Sequence, residues 1–169
     1  NTDAMKTVFL LRHAKSSWDH PGLRDIQRPL NERGLRDAPV MARILRARTD
    51  SPVLIVSSPA KRALTTALFF AEAFGIPDES VVRNPAIYEA SLPELLQVIR
   101  ALPNAAETIL LFGHNPTFTD VANLFSEDFV ANIPTCGIIQ IESEALGWEN
   151  FDETNSRLVW KIFPKDAEY

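Results

Sequence analysis

The sequence predicts an α/β fold, a three-layer α/β/α sandwich with a mostly parallel central sheet and an antiparallel edge strand. Two observations support this prediction. Short apolar runs, too short and too β-branched for core helices, alternate along the chain with segments whose apolar residues recur every three or four positions. The last two apolar runs are separated only by a polar turn, which favours an antiparallel pair.

The first half of the chain contains two strand–helix units. Their predicted elements are a strand at 7–11, a helix from 32 to about 48, a strand at 53–56 and a helix from about 59 to 74. Asn31 is a predicted N-cap of the first helix. Pro39 lies inside that helical pattern, so the helix is expected either to begin near Leu35 or to be kinked. Pro59 fits the first turn of the second helix.

The second half continues the alternation and then changes to strands alone. Its predicted elements are a strand at 81–82, a helix from 92 to about 102, a strand at 108–112, a helix at 117–125, and strands at 137–141 and 157–163. Ser91 and Glu94 have the spacing of a capping box before the third helix. No repeat or linker is found, so residues 1–169 are predicted to form one domain.

The composition is that of an ordinary globular protein and argues against several classes of site. The 169 residues are 46% hydrophobic and 23% charged, which suffices for a core without disulfides or a metal. The net charge of −5 argues against a nucleic-acid or anionic-membrane partner, because such partners select a basic surface. Cys136 is the only cysteine and there are three histidines, so neither a cysteine cluster nor a multi-histidine zinc site is expected. We therefore expect no metal and no cofactor.

The N-terminal region and the hydrophobic runs bear on the location of the protein. No apolar run has the length of a membrane span, and the residues after Lys6 lack the pattern of a signal peptide. Met5 fits a native start, in which case residues 1–4 are an addition to the natural protein. A cytoplasmic location is expected, and the sequence leaves the oligomeric state and the role of Cys136 open.

Three polar segments directly follow predicted strands and contain the residues best suited to chemistry. The segments are LRHAKSSW at 11–18, SSPAKR at 57–62 and GHNP at 113–116. Ligands bind at the carboxyl ends of the strands in an open α/β sheet. The side chains expected together at that edge are two arginines and two histidines: Arg12, His13, Arg62 and His114. Guanidinium groups bind phosphate oxygens in pairs and a neutral imidazole can attack phosphorus, so the set predicts a site for a phosphoryl group.

Four motifs in order resemble those of the histidine phosphatase superfamily, which has a phosphoglycerate mutase-like fold. Arg12-His13 after the first strand resembles the family signature, with Ala14 in place of the usual glycine. The longer LRHAKSSW form, followed by Arg28-Pro-Leu30, is similar to the SixA-type phosphohistidine phosphatase branch. The SPAKR and GHNP segments match the remaining motifs in the right order, so the resemblance covers residues 8–116.

The resemblance implies a role for each site residue. His13 is the implied nucleophile and becomes a phosphohistidine. The implied phosphate pocket consists of Arg12, Arg62 and His114, with Ser16 and Asn115 as further candidates for phosphate contact. One ring nitrogen of His13 must be unprotonated for attack, which requires the other to donate to a fixed acceptor. A protonated His114 would add positive charge opposite the phosphoryl oxygens.

Three carboxylates compete for the role of general acid. Glu89, just before a predicted helix, is in the place where many family members carry an acidic proton donor. Asp19 and Asp25, in the loop after the first motif, are the alternatives. Phosphohistidine leaves as an imidazole, which is readily protonated near pH 7 and needs less help from a protein acid than an alkoxide.

The resulting hypothesis is a metal-independent phosphatase that works through phospho-His13 and removes phosphate from protein phosphohistidine. One alternative is a small-molecule phosphomonoesterase of the same superfamily, and another is a non-catalytic module that binds a phosphorylated ligand. The short connection from Trp18 to Leu30 favours an open site that admits a side chain on a protein surface. The presence of both His13 and His114 argues against a pure binding module.

Overall fold

The computed structural model describes residues 5–167, and within that range it contains six strands and four helices. The strands are β1 (Lys6–Arg12), β2 (Leu54–Ser57), β3 (Val82–Arg83), β4 (Thr108–Gly113), β5 (Ile138–Ser143) and β6 (Ser156–Ile162). The helices are α1 (Glu32–Arg48), α2 (Lys61–Ala73), α3 (Leu92–Arg100) and α4 (Thr117–Phe125). The predicted addition at residues 1–4 lies outside the described residues, as do residues 168–169.

The strands form one sheet in the order β3-β2-β4-β1-β5-β6. The first four strands of this order are parallel to one another, with Val8 of β1 opposite Ile109 of β4. β5 runs antiparallel to both β1 and β6, so the last two strands add an antiparallel pair at one edge. The predicted mostly parallel sheet with an antiparallel edge is confirmed.

Helices cover both faces of the sheet, as the alternation along β1 shows. Val8 and Leu10 pack into a core with apolar residues of α3 and α4, whereas Phe9 and Leu11 pack into a second core with α1 and α2. All four side chains are at most 1% exposed. Successive side chains of a strand point to opposite faces, so a strand buried on both sides reads as a continuous apolar run. The sheet and the helices on its two faces form the predicted three-layer α/β/α sandwich.

The ends of α1 and α3 follow from their capping residues. The Asn31 side chain accepts the Gly34 N–H at 2.9 Å and caps α1. The Ser91 and Glu94 side chains form the predicted capping box at the start of α3. The expectation that Pro39 delays the start of α1 to Leu35 is wrong: α1 begins at Glu32 and contains Pro39. Proline removes one helical N–H, and the buried apolar face of α1 supplies packing that offsets this loss.

The start of α2 lies slightly later than predicted. Ser58, Pro59 and Ala60 form a turn in which the Ser58 hydroxyl accepts the Ala60 N–H at 3.2 Å, and the helix begins at Lys61. Pro59 therefore belongs to the turn and not to the first helical turn.

Backbone hydrogen bonds hold the polar segments together just beyond the strands. The His13 N–H donates to the Gly113 carbonyl at 3.0 Å, and the Ser58 N–H donates to the Phe112 carbonyl at 3.0 Å. The segments after β1, β2 and β4 thus meet at one edge of the sheet.

Candidate active site

His13 lies directly after β1, is buried, and has a defined tautomer. Its Nδ1 is 2.7 Å from the Ala14 carbonyl oxygen. Because a carbonyl only accepts, Nδ1 carries the hydrogen and Nε2 is left with a free lone pair. Burial lowers the pKa of His13 to about 3, opposed by the bond to Ala14 and reinforced by the charges of His114, Arg62 and Arg12. His13 is therefore neutral at pH 7, as a nucleophile must be.

The peptide that holds His13 is itself fixed by Thr66 of α2. The Ala14 N–H donates to the Thr66 hydroxyl at 3.0 Å, and that hydroxyl donates to the Arg62 carbonyl at 2.7 Å. Ala14 does not have a positive φ, and its methyl group is fully buried in the core against α1 and α2. An alanine therefore fits where the family usually has glycine, without backbone strain.

Arg12 and Arg62 are each anchored through their terminal nitrogens. Arg12 Nη1 donates to the Ile133 carbonyl at 2.9 Å, and Arg62 Nη1 donates to the Asp25 carbonyl at 2.8 Å. In both residues Nε is buried and has no hydrogen-bond partner among the described residues. Burial lowers the pKa of Arg12, but an arginine stays charged at neutral pH. Two cationic donors are thus available to an anion.

His114 follows β4 and shares a hydrogen bond with Ser58. Its Nε2 is 2.8 Å from the Ser58 hydroxyl, which already accepts the Ala60 N–H. The hydroxyl also has a proton to donate, and when it donates that proton to Nε2 the hydrogen of His114 lies on Nδ1. His114 Nδ1 is buried and has no partner among the described residues.

The surroundings of His114 lower its pKa in the free site. Burial lowers its pKa to about 4, with Arg62 as the next cause and Asp25 opposing, so the ring is neutral at pH 7. Burial and the arginines disfavour a further positive charge in the free site, and protonation of His114 opposite a bound phosphoryl group stays a prediction. A bound phosphoryl group brings negative charge, which favours protonation again.

The structure brings the four predicted central residues together. The rings of His13 and His114 have centroids 5.3 Å apart at an interplanar angle of 53°. The charges of Arg12 and Arg62 both act on these two rings. The arrangement offers one nucleophilic nitrogen and three buried donors, which suits a tetrahedral or trigonal-bipyramidal oxyanion.

The two further candidates for phosphate contact are engaged in the fold. The Asn115 amide donates to Asn132 and to the Ile133 carbonyl, while its oxygen accepts from the Thr119 N–H and hydroxyl. Its side chain therefore has no free donor, and only its backbone could contact phosphate. The Ser16 hydroxyl accepts from Arg28 Nη1 at 3.0 Å and keeps its own proton to donate.

The three candidate acids lie in different environments. Asp25 accepts hydrogen bonds from Tyr88 at 2.6 Å, Arg62 at 3.0 Å and Arg28 at 3.1 Å. These partners, Tyr88 above all, lower the pKa of Asp25 to about 2, so it has no proton to donate at neutral pH. Asp19 is exposed in the loop. Glu89 is exposed and has a left-handed backbone with a φ of 57°.

A cleft of about 520 Å³ adjoins His114. Glu89 and Asp120 contribute carboxylates to its lining, and its apolar residues are Ile87, Ala90, Leu92, Leu95 and Phe118. His114 and Asn115 also line the cleft. Of the three candidate acids, Glu89 alone lines this cleft, and among residues 5–167 no group of three or more His, Cys, Asp or Glu is placed to hold a metal.

Sequence reasoning missed the roles of three residues. Arg28 has no role implied by its motif, yet it is 8% exposed, and its guanidinium carbon lies 3.5 Å from the centre of the Trp18 ring. Tyr88 packs edge-on against His114, with ring centroids 5.6 Å apart. Thr66 had one available signal, because it lies four residues after Arg62 and therefore on the same helix face.

Comparisons with known proteins agree with this geometry. Residues 8–117 match the histidine phosphatase superfamily (branch 1). An uncharacterized chloroplastic protein of Arabidopsis thaliana is 31% identical over 170 residues, covering 96% of this chain and 78% of that protein.

Solved structures show the same fold. SixA from Agrobacterium tumefaciens, named as a phosphohistidine phosphatase, matches with a TM-score of 0.76 and 32% identity, covering 93% of this chain and 97% of its own. The protein histidine phosphatase SixA in complex with tungstate has a TM-score of 0.77 at 21% identity, covers 95% of this chain and 98% of its own, and supports the fold alone. The chain therefore belongs to the histidine phosphatase superfamily, in its SixA-type branch, and is a phosphatase.

Proposed function

We propose that this phosphatase removes phosphate from protein phosphohistidine, through a covalent phosphohistidine on His13 and without a metal ion. The observation that carries the proposal is a set of three buried nitrogen atoms beside His13 that have no hydrogen-bond partner among residues 5–167: Arg12 Nε, Arg62 Nε and His114 Nδ1. A buried donor left unpaired costs stability, so such a set is typical of a site that binds an anion.

In the first step, the lone pair on His13 Nε2 attacks phosphorus. The Nε2–P bond forms while the bond from phosphorus to the substrate nitrogen breaks, and the electron pair of the broken bond stays on the leaving imidazole, which takes a proton. The hydrogen bond from His13 Nδ1 to the Ala14 carbonyl stabilises the positive charge that develops on the ring. The three donors stabilise the charge on the equatorial oxygens.

In the second step, a water oxygen attacks phosphorus and the P–Nε2 bond breaks. The electron pair returns to Nε2, inorganic phosphate leaves, and His13 is again neutral. We assign to Glu89 the proton transfer to the leaving group and the later proton transfer from water, because Glu89 and His114 line the same cleft.

The cleft supports a substrate presented by another protein. Exposed residues, among them Glu89, Pro116 and Asp120, form its lining next to the apolar side chains. The connection after β1 is short and closes on itself through a bridge between Ser16 and Leu30. We infer that a phosphorylated side chain on a protein surface approaches along the side of the cleft lined by His114, whose ring packs beside that of His13.

The test compares phosphate release from a phosphohistidine-containing protein and from 4-nitrophenyl phosphate, each with a chelator present. Wild type should release phosphate, and acid-labile radiolabelled phosphate should be trapped on the enzyme. His13→Ala should abolish both signals, whereas His20→Ala, in the exposed part of the same loop, should change neither. Release that survives in His13→Ala, or that stops with the chelator, would contradict the proposal.

A small-molecule phosphomonoester is the second candidate substrate. The cleft volume of about 520 Å³ lies within the range of ordinary small-molecule pockets. A screen of phosphorylated metabolites decides between the two, and a preference of about 10³-fold in kcat/KM for a metabolite, about 4 kcal/mol, would favour this candidate.

Two predictions about the whole chain stay predictions. The single-domain organisation and the cytoplasmic location both come from the sequence. Within residues 5–167, the structure has no helix with the length and apolar character required to cross a membrane.

A further inference from the structure

Asp25 connects three separate segments at the active site. It belongs to a short 3-10 turn, Asp25–Gln27, in the connection between β1 and α1. Its carboxylate accepts from Arg62 of α2, from Tyr88 in the loop before α3, and from Arg28 in its own loop. Its backbone carbonyl accepts a second hydrogen bond from Arg62, at 2.8 Å.

We propose that Asp25 is a positioning residue: it holds Arg62 in the orientation that directs Nε to the phosphoryl group, and it joins Arg62 to Tyr88. This inference rests on the proposed function, because it assigns Asp25 a task in the same reaction.

The two bonds to Arg62 fix the plane of its guanidinium. Nη1 donates to the carbonyl and Nη2 to the carboxylate of the same residue, at 2.8 Å and 3.0 Å. A planar group held at two nitrogens cannot rotate about its own axis, so the position of Nε is determined. Without Asp25, Arg62 would have to be ordered by the substrate itself, at a cost in conformational entropy. Donors placed in advance are the ones that contribute most to stabilising a transition state.

The contact with Tyr88 extends the effect of Asp25 to the other side of the site. The Tyr88 hydroxyl donates to Asp25 at 2.6 Å, and the Tyr88 ring packs edge-on against His114. The next residue is Glu89, at the cleft. Asp25 therefore holds in place both a phosphate donor and the loop that carries the candidate acid.

A positioning residue and a general acid respond differently to the leaving group. A general acid matters most when the leaving group is basic, and hardly at all for 4-nitrophenol, which leaves readily as the anion. A residue that positions a donor for the phosphoryl oxygens affects all leaving groups alike. Removal of a positioning residue also weakens the binding of inorganic phosphate, which has no leaving group.

The experiment measures kcat and KM of Asp25→Asn with 4-nitrophenyl phosphate and with phenyl phosphate, and the inhibition constant of inorganic phosphate. We expect kcat/KM to fall by a similar factor for both esters, about 10–10²-fold, which is below the loss of a whole donor. Inhibition by phosphate should weaken, and Asp25→Glu, which keeps the charge, should lie between Asp25→Asn and wild type. Asp78→Asn, an exposed carboxylate after α2, is the matched control and should equal wild type.

Tyr88→Phe is the second variant, for the case that Asp25→Asn does not fold. It removes one hydrogen bond to Asp25 and leaves both bonds to Arg62, so we expect a smaller loss, again equal for both esters. If kcat/KM of Asp25→Asn falls with phenyl phosphate alone, Asp25 is a general acid and the proposal is wrong. If neither the kinetics nor the inhibition by phosphate changes, Asp25 does not position Arg62. The proposed function fails if wild type releases no phosphate from the phosphohistidine-containing protein. If wild type cleaves that protein but neither ester, calorimetric titration with phosphate still tests whether Asp25→Asn weakens the donor site.

Discussion

Replacement of Thr66 by valine tests how the peptide after His13 is held. Thr66 is fully buried, and its hydroxyl accepts the Ala14 N–H at 3.0 Å while donating to the Arg62 carbonyl at 2.7 Å. Valine has nearly the same shape but no hydroxyl. The Arg62 carbonyl keeps its place in the hydrogen-bond ladder of α2, so the Ala14 N–H is the group that loses its partner.

The loss of the acceptor for the Ala14 N–H should lower both the stability and the activity of the protein. A buried N–H without an acceptor costs about 1–3 kcal/mol of the free energy of unfolding. For a chain of this size each kcal/mol lowers Tm by about 2–4 °C, so Thr66→Val should unfold about 2–12 °C below wild type. The same peptide supplies the carbonyl that binds His13 Nδ1, and a small displacement of the nucleophile lowers kcat by up to about 10²-fold.

Thermal and urea unfolding, together with phosphate release from 4-nitrophenyl phosphate, measure both effects. Thr65→Val is the matched control, because it makes the same change one residue earlier in α2 at a half-buried side chain. A substitution that breaks no buried hydrogen bond usually changes the free energy of unfolding by less than about 0.5 kcal/mol. If Thr66→Val is as stable as Thr65→Val, the Ala14 N–H does not depend on the hydroxyl and the reasoning is refuted.

The remaining predictions concern pH, packing and reactivity. The folded pKa values of His13, about 3, and His114, about 4, lie below the ordinary 6.5, so the unfolded chain binds more protons. The free energy of unfolding should therefore fall as pH drops from about 7 towards 3, and urea titrations that show no fall would contradict this. Gly34→Ala places a Cβ against the backbone just after Ala14 and should lower Tm, whereas Gly22→Ala, with open space, should not. Burial raises the pKa of Cys136, so iodoacetamide should label it in urea but not in the native protein.

The elements and the central residues could be predicted because their signals are local. The apolar residues of β1 and β4 are buried and form continuous runs in the sequence. The residues directly after these strands, His13 and His114, must lie at one edge of a parallel sheet. The Asn31 cap likewise depends on a partner only three residues away. The periodicity of apolar residues and the capping residues therefore predict strands, helices and strand ends from a single sequence.

The finer organisation of the site could not be predicted, because it depends on contacts between distant residues. Asp25 meets Arg62 and Tyr88 from positions 37 and 63 residues away, and Thr66 meets Ala14 from 52 residues away. Neither strand nor helix periodicity states which side chains meet across elements. For this reason Asp25 was predicted as a possible proton donor, whereas the structure shows an ionised carboxylate between two arginines.

The electrostatics of the pocket restrict where a proton donor can lie. Burial, reinforced by the positive charges of Arg62 and Arg12, keeps His13 unprotonated, and the same charges favour the ionised form of a carboxylate near them. Asp25 illustrates this, since its hydrogen bonds to Tyr88 and Arg62 lower its pKa to about 2. A carboxylate that donates a proton must therefore lie near the leaving group but outside the arginine contacts. Glu89 meets the second condition, because it forms no ion pair with an arginine among residues 5–167. We propose that it also meets the first, since it lines the cleft beside His114.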